Sequence, residues 1–194
     1  MDAPRPSESD HQPGTRIRRV NWSEDLELVR RRFTEYREWL ADHRDPCRSA
    51  DSAALTGLSQ VDRQIKKLPG AYGPPRGDVL LAFKGGELAA CGALRELDPK
   101  VGEIKRLYVR ADHRGPGFGL RLTRALLERA RDLGYQRVRV DTLPSMAAAI
   151  GFYQELGFTP IPAYWPHPAS GALFFEYELG HRARRTRGDR GSTG

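Results

Sequence analysis

The chain has 194 residues, a formal charge of +7, five histidines and two cysteines. That length fits one domain of ordinary size. No apolar run is long enough to cross a bilayer and the N-terminus lacks the pattern of a signal peptide, so we predict a cytoplasmic protein with no membrane partner. The two cysteines make no disulfide framework, and the histidines and cysteines lack metal-ligand spacing, so no metal site is predicted.

Much of the positive charge lies at the C-terminus. Five arginines and one aspartate give residues 181–194 a formal charge of +4, which leaves +3 for the rest of the chain. Residues 1–15 and 181–194 both lack apolar periodicity, so we predict a disordered N-terminal tail and a disordered basic C-terminal tail. A single domain then spans 16–180, and nucleic acid is not expected as a partner.

The pattern of apolar and turn residues predicts alternating helices and strands. Apolar residues from Trp22 to Leu40 recur at spacings of three and four, which indicates a helix with Ser23 as its N-cap. Pro144 suits the first turn of a later helix. The predicted elements are a strand at 16–20, a helix at 22–40, a loop at 42–56, a helix at 58–68, strands at 78–83, 87–94 and 102–110, a helix from about 117, a strand at 135–141, a helix from 144 to 157, and strands at 158–161 and 172–179. These predict a mixed sheet with helices on both faces.

A glycine-rich turn, residues 114–119, lies between the strand at 102–110 and the next helix. It reads Arg-Gly-Pro-Gly-Phe-Gly. A helix that begins at glycines presents free N–H groups and the positive end of its dipole, which predicts a phosphate-binding turn. Leu120-Arg121 after Gly119 exclude a Walker loop, and Leu120 also breaks the Gly-x-Gly-x-x-Gly dinucleotide pattern. A plain strand-to-helix turn is the alternative interpretation.

Two motifs together indicate a family. Arg114-x-x-Gly117-x-Gly119 resembles the acyl-CoA pyrophosphate loop of the GNAT (Gcn5-related) N-acetyltransferases, whose pattern is Gln/Arg-x-x-Gly-x-Gly/Ala. The segment 148–158 resembles the later helix of that family, which carries a tyrosine and ends in Gly-Phe. The likeness covers roughly 17–179. It implies an α/β (α+β) fold of the GNAT type, with a mixed, mostly antiparallel sheet of six to seven strands and about four helices on both faces.

The resemblance also implies acetyl-CoA as cosubstrate and suggests which residues bind it. Backbone N–H groups of the loop would bind the pyrophosphate. The strand before the loop would bind pantetheine and the acetyl carbonyl through its main chain, if it splays apart from the strand at 135–141. Pro116 has no N–H to donate and could weaken this binding. The predicted cofactor-binding residues are Leu107, Tyr108, Val109, Arg114, Gly115, Gly117, Phe118 and Gly119.

Two residues are predicted to be catalytic. Tyr153 matches the family tyrosine that protonates the departing thiolate, and a core tyrosine is the alternative. Glu103 lies where some family members carry a carboxylate that takes the amine proton. Side-chain alternation puts Leu107 and Val109 on the same strand face as Glu103. Lys105 lies on that face too, so an ion pair with Glu103 is the alternative.

The implied function is acetyl transfer to a primary amine of a small molecule by direct attack in a ternary complex. A protein or peptide amine, or a non-catalytic acyl-CoA-binding regulatory module, are the alternatives, and a monomer or homodimer is expected. His113 and His167 are alternatives to Glu103 as the base. The residues predicted to face the acceptor, all of which could equally be packing, are Tyr36, Trp39, Tyr72, Tyr164, Trp165 and His167.

Overall fold

A computed structural model describes residues 14–42, 52–115, 117–165 and 171–180, and only the backbone of 52–56. The predicted tails therefore lie outside the described residues, except for Gly14, whose carbonyl accepts a hydrogen bond from the Gly85 N–H, and Thr15, which belongs to the first strand. The elements are β1 (Thr15–Arg19), α1 (Trp22–Asp42), α2 (Ser52–Lys66), β2 (Asp78–Lys84), β3 (Glu87–Asp98), β4 (Val101–Val109), α3 (Phe118–Asp132), β5 (Arg137–Thr142), α4 (Ala147–Glu155), β6 (Thr159–Ile161) and β7 (Leu173–Glu178).

The described strands form one mixed sheet in the order β1-β2-β3-β4-β5-β7-β6. Only β4 and β5 are parallel, as expected for strands joined through helix α3, and the other neighbours are antiparallel. The predicted fold class is thereby confirmed.

Alternating side chains give the sheet two packed faces. On one, which we call the α3 face, α3 and α4 cover a large apolar cluster that includes Leu94, Leu126 and Val140. On the other, the α1 face, α1 and α2 cover a second cluster that includes Val79 and Cys91. The buried strand residues of the α1-face cluster come from β2 and β3, Tyr108 of β4 packs against it, and none of its residues comes from β5 or β7. On the α1 face, polar side chains of β5 and β7 are therefore not covered by this apolar cluster and can form a site.

Two helix starts and one helix cap differ from the prediction. Helix α2 begins at Ser52 rather than near Leu58, so part of the predicted loop is helical, and 43–51 lie outside the described residues. The side chain of Asn21, not Ser23, caps α1, because its Oδ1 accepts the Ser23 N–H at 3.3 Å. Pro144 lies in a turn before α4, which begins at Ala147.

A β-bulge at Arg106 changes which side chains share a face of β4. Two residues of β4, Arg106 and Leu107, lie between the pairs Cys91–Tyr108 and Ala93–Lys105, opposite a single residue of β3. Arg106 has a φ of 56°, the only positive φ of a non-glycine residue in the described chain.

The prediction that Leu107 and Val109 share a face with Glu103 and Lys105 is therefore wrong. Leu107 and Val109 pack against the α3-face cluster. Lys105 is paired with Ala93, a residue of the α1-face cluster. The extra residue reverses the alternation, so β4 directs different groups to each side of the sheet.

Strands β4 and β5 separate soon after they begin. Their pairing covers Val101 to Glu103 on β4 and Arg137 to Arg139 on β5. Beyond these residues the two strands share no further pairing, so an opening lies between 104–109 and 140–142, which we call the fork. The splay implied by the family resemblance is thus present.

Candidate active site

Helix α3 begins directly at the glycine-rich turn. Its first hydrogen bond runs from the Arg121 N–H to the Gly117 carbonyl at 3.0 Å. The N–H groups of Phe118, Gly119 and Leu120 therefore have no partner within the helix and lie at the positive end of its dipole. The side chain of Phe118 is buried, so this residue offers only its main chain. Leu120 adds a donor that the sequence motif did not include.

The glycines of the turn leave room for a ligand. Gly115 and Gly117 have φ values of 101° and 73°, and a Cβ at either would meet no atom within 4 Å. Glycine is favoured there by its backbone, and the open space fits a pyrophosphate that contacts the main chain. Gly119 has a different role, because a Cβ there would lie 3.2 Å from Cε1 of Phe152 on α4. Pro116 lies outside the described residues.

The end of β4 presents its main chain to the fork. The Arg110 N–H donates to the Ala89 carbonyl of β3 at 3.0 Å. Because successive strand residues direct their polar groups to opposite sides, Val109 and Leu107 direct theirs toward the fork. The Val109 carbonyl accepts a hydrogen bond from Nε of Arg114 at 3.3 Å, so that arginine folds back on β4 while the Val109 N–H remains available to a ligand.

Tyr153 lies on the α3 face of the sheet. It lies on α4 in the same apolar cluster as Leu107 and Val109, and is 4% exposed. Burial raises the pKa of its hydroxyl above the usual value, and Asp141 and Tyr36 raise it further. Asp141 and Tyr36 both lie on the α1 face, so the Tyr153 hydroxyl is close enough to that face to be influenced by its groups.

Glu103 lies at the base of the fork on the α1 face, and its side chain is 1% exposed. Arg95 on β3 binds its Oε2, with Nε at 2.6 Å and a terminal nitrogen at 2.5 Å. The Tyr164 hydroxyl donates to its Oε1 at 2.8 Å, and Nζ of Lys105 lies 3.4 Å from the same oxygen. The predicted ion pair with Lys105 is thus present, although the closer partner is Arg95.

The network continues across β5 and β7. Lys105 donates a hydrogen bond to Asp141, and its ammonium lies over the Trp165 ring, 5.8 Å from the centroid. Burial alone would lower the pKa of Lys105, but the carboxylates of Asp141 and then Glu103 outweigh it and raise that pKa. Farther along, Nε of Arg139 donates to Glu176 at 2.6 Å. We call the residues Arg95, Glu103, Lys105, Arg139, Asp141 and Glu176 the charged network.

Three aromatic rings line the α1 side of the fork. Tyr108 has its ring centroid 6.0 Å from those of both Tyr36 and Trp39, and the Arg114 guanidinium lies 5.2 Å from the Trp39 centroid. Tyr108 is paired with Cys91 of β3. Its main chain therefore faces β3 and its ring lies on the α1 face, so the cofactor role predicted for Tyr108 stays a prediction that would involve the ring.

The other predicted residues lie apart from this group. Tyr72 is 1% exposed and packs in the core of the α1 face. Its hydroxyl donates a hydrogen bond to Gln64 of α2 at 2.8 Å. His167 lies outside the described residues.

Burial raises the pKa of the Cys91 thiol to about 12, so this cysteine is poorly suited to nucleophilic catalysis.

Within the described ranges, no three histidine, cysteine or carboxylate side chains are grouped as metal ligands. None of the described helices has the length and apolarity needed to cross a membrane.

Sequence reasoning missed Arg95, Asp141 and Arg106. The cross-strand pair Arg95–Glu103 could have been found from the register of the two strands. Asp141 required the order of β4 and β5, and Arg106 required the bulge. None of the three carries a sequence motif of its own.

A helix start that can bind pyrophosphate beside a strand with free main-chain groups suits an extended acyl-CoA, so the fold and site define an acyl-CoA-dependent transferase. The sequence profile described as the Acetyltransferase (GNAT) family matches residues 26–158. The chain belongs to this family and is an acetyl-CoA-dependent N-acyltransferase.

Comparison with known proteins gives the same family. An uncharacterised N-acetyltransferase of Schizosaccharomyces pombe is 31% identical over 124 residues, which cover 63% of this chain and 76% of that protein. The PaiA N-acetyltransferase of Thermoplasma acidophilum in complex with coenzyme A has a TM-score of 0.63 at 16% identity, covering 84% of this chain and 98% of that one. YncA of Salmonella typhimurium with its cofactor acetyl-CoA has a TM-score of 0.58 at 19% identity, covering 90% and 99%. The two structural likenesses concern the fold.

Proposed function

We propose that this protein transfers an acetyl group from acetyl-CoA to a primary amine of a small molecule by direct attack in a ternary complex. The observation that carries the proposal is the two-sided fork. The main chain of Leu107 and Val109 borders it while their side chains lie on the α3 face, and Tyr153 belongs to the same α3-face cluster. The charged network, with Glu103 at its centre, approaches it from the α1 face. Donor and acceptor would then meet from opposite sides of the sheet.

The cosubstrate supplies the activated thioester, and the protein binds and polarises it. Main-chain N–H groups at the start of α3 bind the pyrophosphate, and the Val109 N–H is the donor available to the acetyl carbonyl. Tyr153 donates the proton that the departing thiolate needs. Burial raises the pKa of this phenol, so Tyr153 carries its proton when the thiolate departs.

Glu103 receives the proton of the attacking amine. Arg95 holds one carboxylate oxygen, and the other contacts Lys105 and Tyr164. Tyr164 is the neutral member of this set and comes from a loop, so it can shift enough to admit an incoming amine or water to Glu103 while its hydroxyl still orients the carboxylate. Removing a cation from a buried carboxylate would cost far more.

The enclosure of the charged network supports a small acceptor. Tyr164 contacts Glu103, and the Arg139 guanidinium lies 5.2 Å from the centroid of the Tyr164 ring. Trp165 covers Lys105. A folded protein surface could not approach Glu103 past these side chains, whereas a small amine could enter through the fork.

The test is a screen of amine acceptors that follows CoA release, with acetyl-CoA binding measured separately by thermal shift. We expect small primary amines to be acetylated by the wild type, and much more slowly by Tyr153→Phe. If acetyl-CoA stabilises the protein but no amine is acetylated, the non-catalytic binding module is the better account. A preference for peptide amines over every small amine would favour the protein acetyltransferase.

A further inference from the structure

Arg106 carries a buried charge for which the described chain provides no counter-ion. The residue is 7% exposed. Its guanidinium donates to the amide oxygen of Gln64 on α2 and lies 5.5 Å from the centroid of the Tyr36 ring. Among the described residues, no carboxylate forms an ion pair with it, and its Nε is buried with no hydrogen-bond partner.

Such an arrangement is costly for the free protein. A guanidinium removed from water is stabilised only weakly by one neutral amide and one ring, and buried cations are normally paired with anions. The backbone adds to the cost, because Arg106 adopts the left-handed conformation in the bulge of β4. Strained residues with unsatisfied groups are concentrated at ligand-binding positions.

Arg106 lies next to residues that are proposed to take part in the reaction. It follows Lys105 of the charged network and precedes Leu107, whose main chain faces the fork. Its charge acts on Lys105. The Tyr36 ring beside it belongs to a residue whose hydroxyl acts on Tyr153 from across the fork. An anion bound to Arg106 would therefore lie on the α1 side of the fork, where the acceptor is expected.

We propose that Arg106 binds a carboxylate of the acceptor, so that the substrate is an amine that also carries a carboxylate, such as an amino acid. This inference rests on the proposed acetyltransferase function and specifies its substrate class. Gln64 and Tyr36 hold the guanidinium in place, and Nε and the remaining N–H groups are available to the carboxylate. The neighbouring rings of Tyr36, Trp39 and Tyr108 offer an apolar and aromatic wall to the rest of the acceptor.

A carboxylate fits this site better than a phosphate. The second buried arginine nearby, Arg32, is already paired with Glu35. Arg106 is thus a single available cation, which matches a single negative charge. A phosphate with nearly two charges would need further donors.

The first test compares amino acids with their carboxamides as acceptors. We expect kcat/KM to be about ten- to a hundredfold higher for the acids, the ratio typical of a charge-assisted hydrogen bond. Arg106→Gln should abolish this ratio, and Arg106→Lys should restore part of it. Aminoethyl phosphate serves as the comparison anion, and we expect it to be a poorer acceptor than the acids.

The second test supplies the missing anion from the protein, and its first readout, Tm, needs no turnover. Gln64→Glu places a carboxylate against Arg106 while retaining an acceptor for the Tyr72 hydroxyl. We expect it to raise Tm and to reverse the preference for acids, because the internal carboxylate competes with that of the acceptor. Gln60→Glu makes the same charge change on an exposed position of α2 and should do neither.

The outcomes separate this inference from the acetyltransferase proposal. If amines are acetylated with no preference for acids over carboxamides, the carboxylate site is refuted and the acetyltransferase proposal stands. Three further results would also refute the carboxylate site. They are a fall in kcat/KM of equal size for acids and carboxamides in Arg106→Gln, a preference for aminoethyl phosphate over the acids, and an unchanged Tm in Gln64→Glu. Acetyl-CoA binding without acetylation of any acid, carboxamide or simple amine refutes the enzymatic proposal itself.

Discussion

The Tyr164 hydroxyl donates a hydrogen bond to Oε1 of Glu103 at 2.8 Å and so ties the loop after β6 to the centre of the charged network. The bond joins residues far apart in sequence. Burial is the largest cause that raises the pKa of Tyr164, and the Glu103 carboxylate raises it further, so the phenol remains a donor at any assay pH. Tyr164 therefore orients Glu103 and also covers it.

Removing this hydroxyl should slow the reaction without unfolding the protein. Tyr164→Phe keeps the ring, which contacts Phe174 edge to face at a centroid distance of 5.1 Å. The lost bond to a charged acceptor should lower kcat/KM by about tenfold. Steady-state kinetics with the acceptor found in the screen, together with Tm, provide the measurement.

Tyr135→Phe is the matched control for Tyr164. The Tyr135 hydroxyl also makes one hydrogen bond, to the Arg76 carbonyl at 2.6 Å, but it lies away from the fork. We expect this variant to lose some stability and to keep its kcat/KM. If both variants have wild-type kinetics, Tyr164 contributes only packing.

Glu103→Gln should lose both rate and stability, and a second variant separates the two effects. The substitution leaves the Arg95 guanidinium beside a neutral amide, which costs about 3–5 kcal/mol for a buried ion pair. If Glu103 accepts the amine proton, the rate should fall most at low pH, where the acceptor is protonated. Arg95→Met breaks the same ion pair but retains the carboxylate. It should lower Tm similarly with a much smaller loss of kcat, and an equal loss of kcat in both variants would make Glu103 a structural residue.

Local patterns were sufficient to predict the order and type of the elements. The glycine-rich turn before α3 and the Gly-Phe after α4 were recognised because turn chemistry and helical periodicity involve residues close in sequence. The parallel pairing of β4 and β5 followed from the intervening helix. The pairing of strands into a seven-membered sheet agrees with these expectations.

The bulge and its consequences could not be predicted in this way. A positive φ at Arg106 is unfavourable for any residue but glycine, so nothing in the local sequence indicates it. It is maintained by the pairing of β4 with β3 on both sides of the irregularity. Because of that one extra residue, the side chains of Leu107 and Val109 lie on the α3 face instead of the α1 face, and Arg106 is buried. Local reasoning had assigned all of β4 a single alternation.

Tyr153→Phe tests the general acid. The variant keeps the ring contacts with Phe152 and Phe158, at centroid distances of 4.7 and 5.3 Å, and deletes only the hydroxyl. We expect kcat to fall by about 10²- to 10⁴-fold, with the stabilisation by acetyl-CoA retained. Because the pKa of Tyr153 is raised, the wild-type kcat should show no loss on the alkaline side from this residue up to about pH 10.

Tyr177→Phe is the control for Tyr153. Tyr177 packs against the same apolar cluster, and its ring centroid lies 5.2 Å from that of Phe158. The same loss of a hydroxyl there should leave kcat near the wild-type value. Full kcat in Tyr153→Phe, with the chemical step rate-limiting, would show that Tyr153 is a packing residue.

The two ends of helix α3 provide a matched test of the pyrophosphate loop. Gly117 precedes the helix and Gly134 follows it, with φ values of 73° and 84°, and a Cβ at either would meet nothing within 4 Å. Gly117→Asp and Gly134→Asp should therefore carry a similar backbone cost of about 1–2 kcal/mol. Only Gly117→Asp places a side chain and a negative charge where the pyrophosphate would bind. We expect it to abolish the rise in Tm that acetyl-CoA produces, while Gly134→Asp lowers Tm but keeps the full rise. Equal rises in the two variants would refute the assignment of the glycine-rich turn to the cosubstrate.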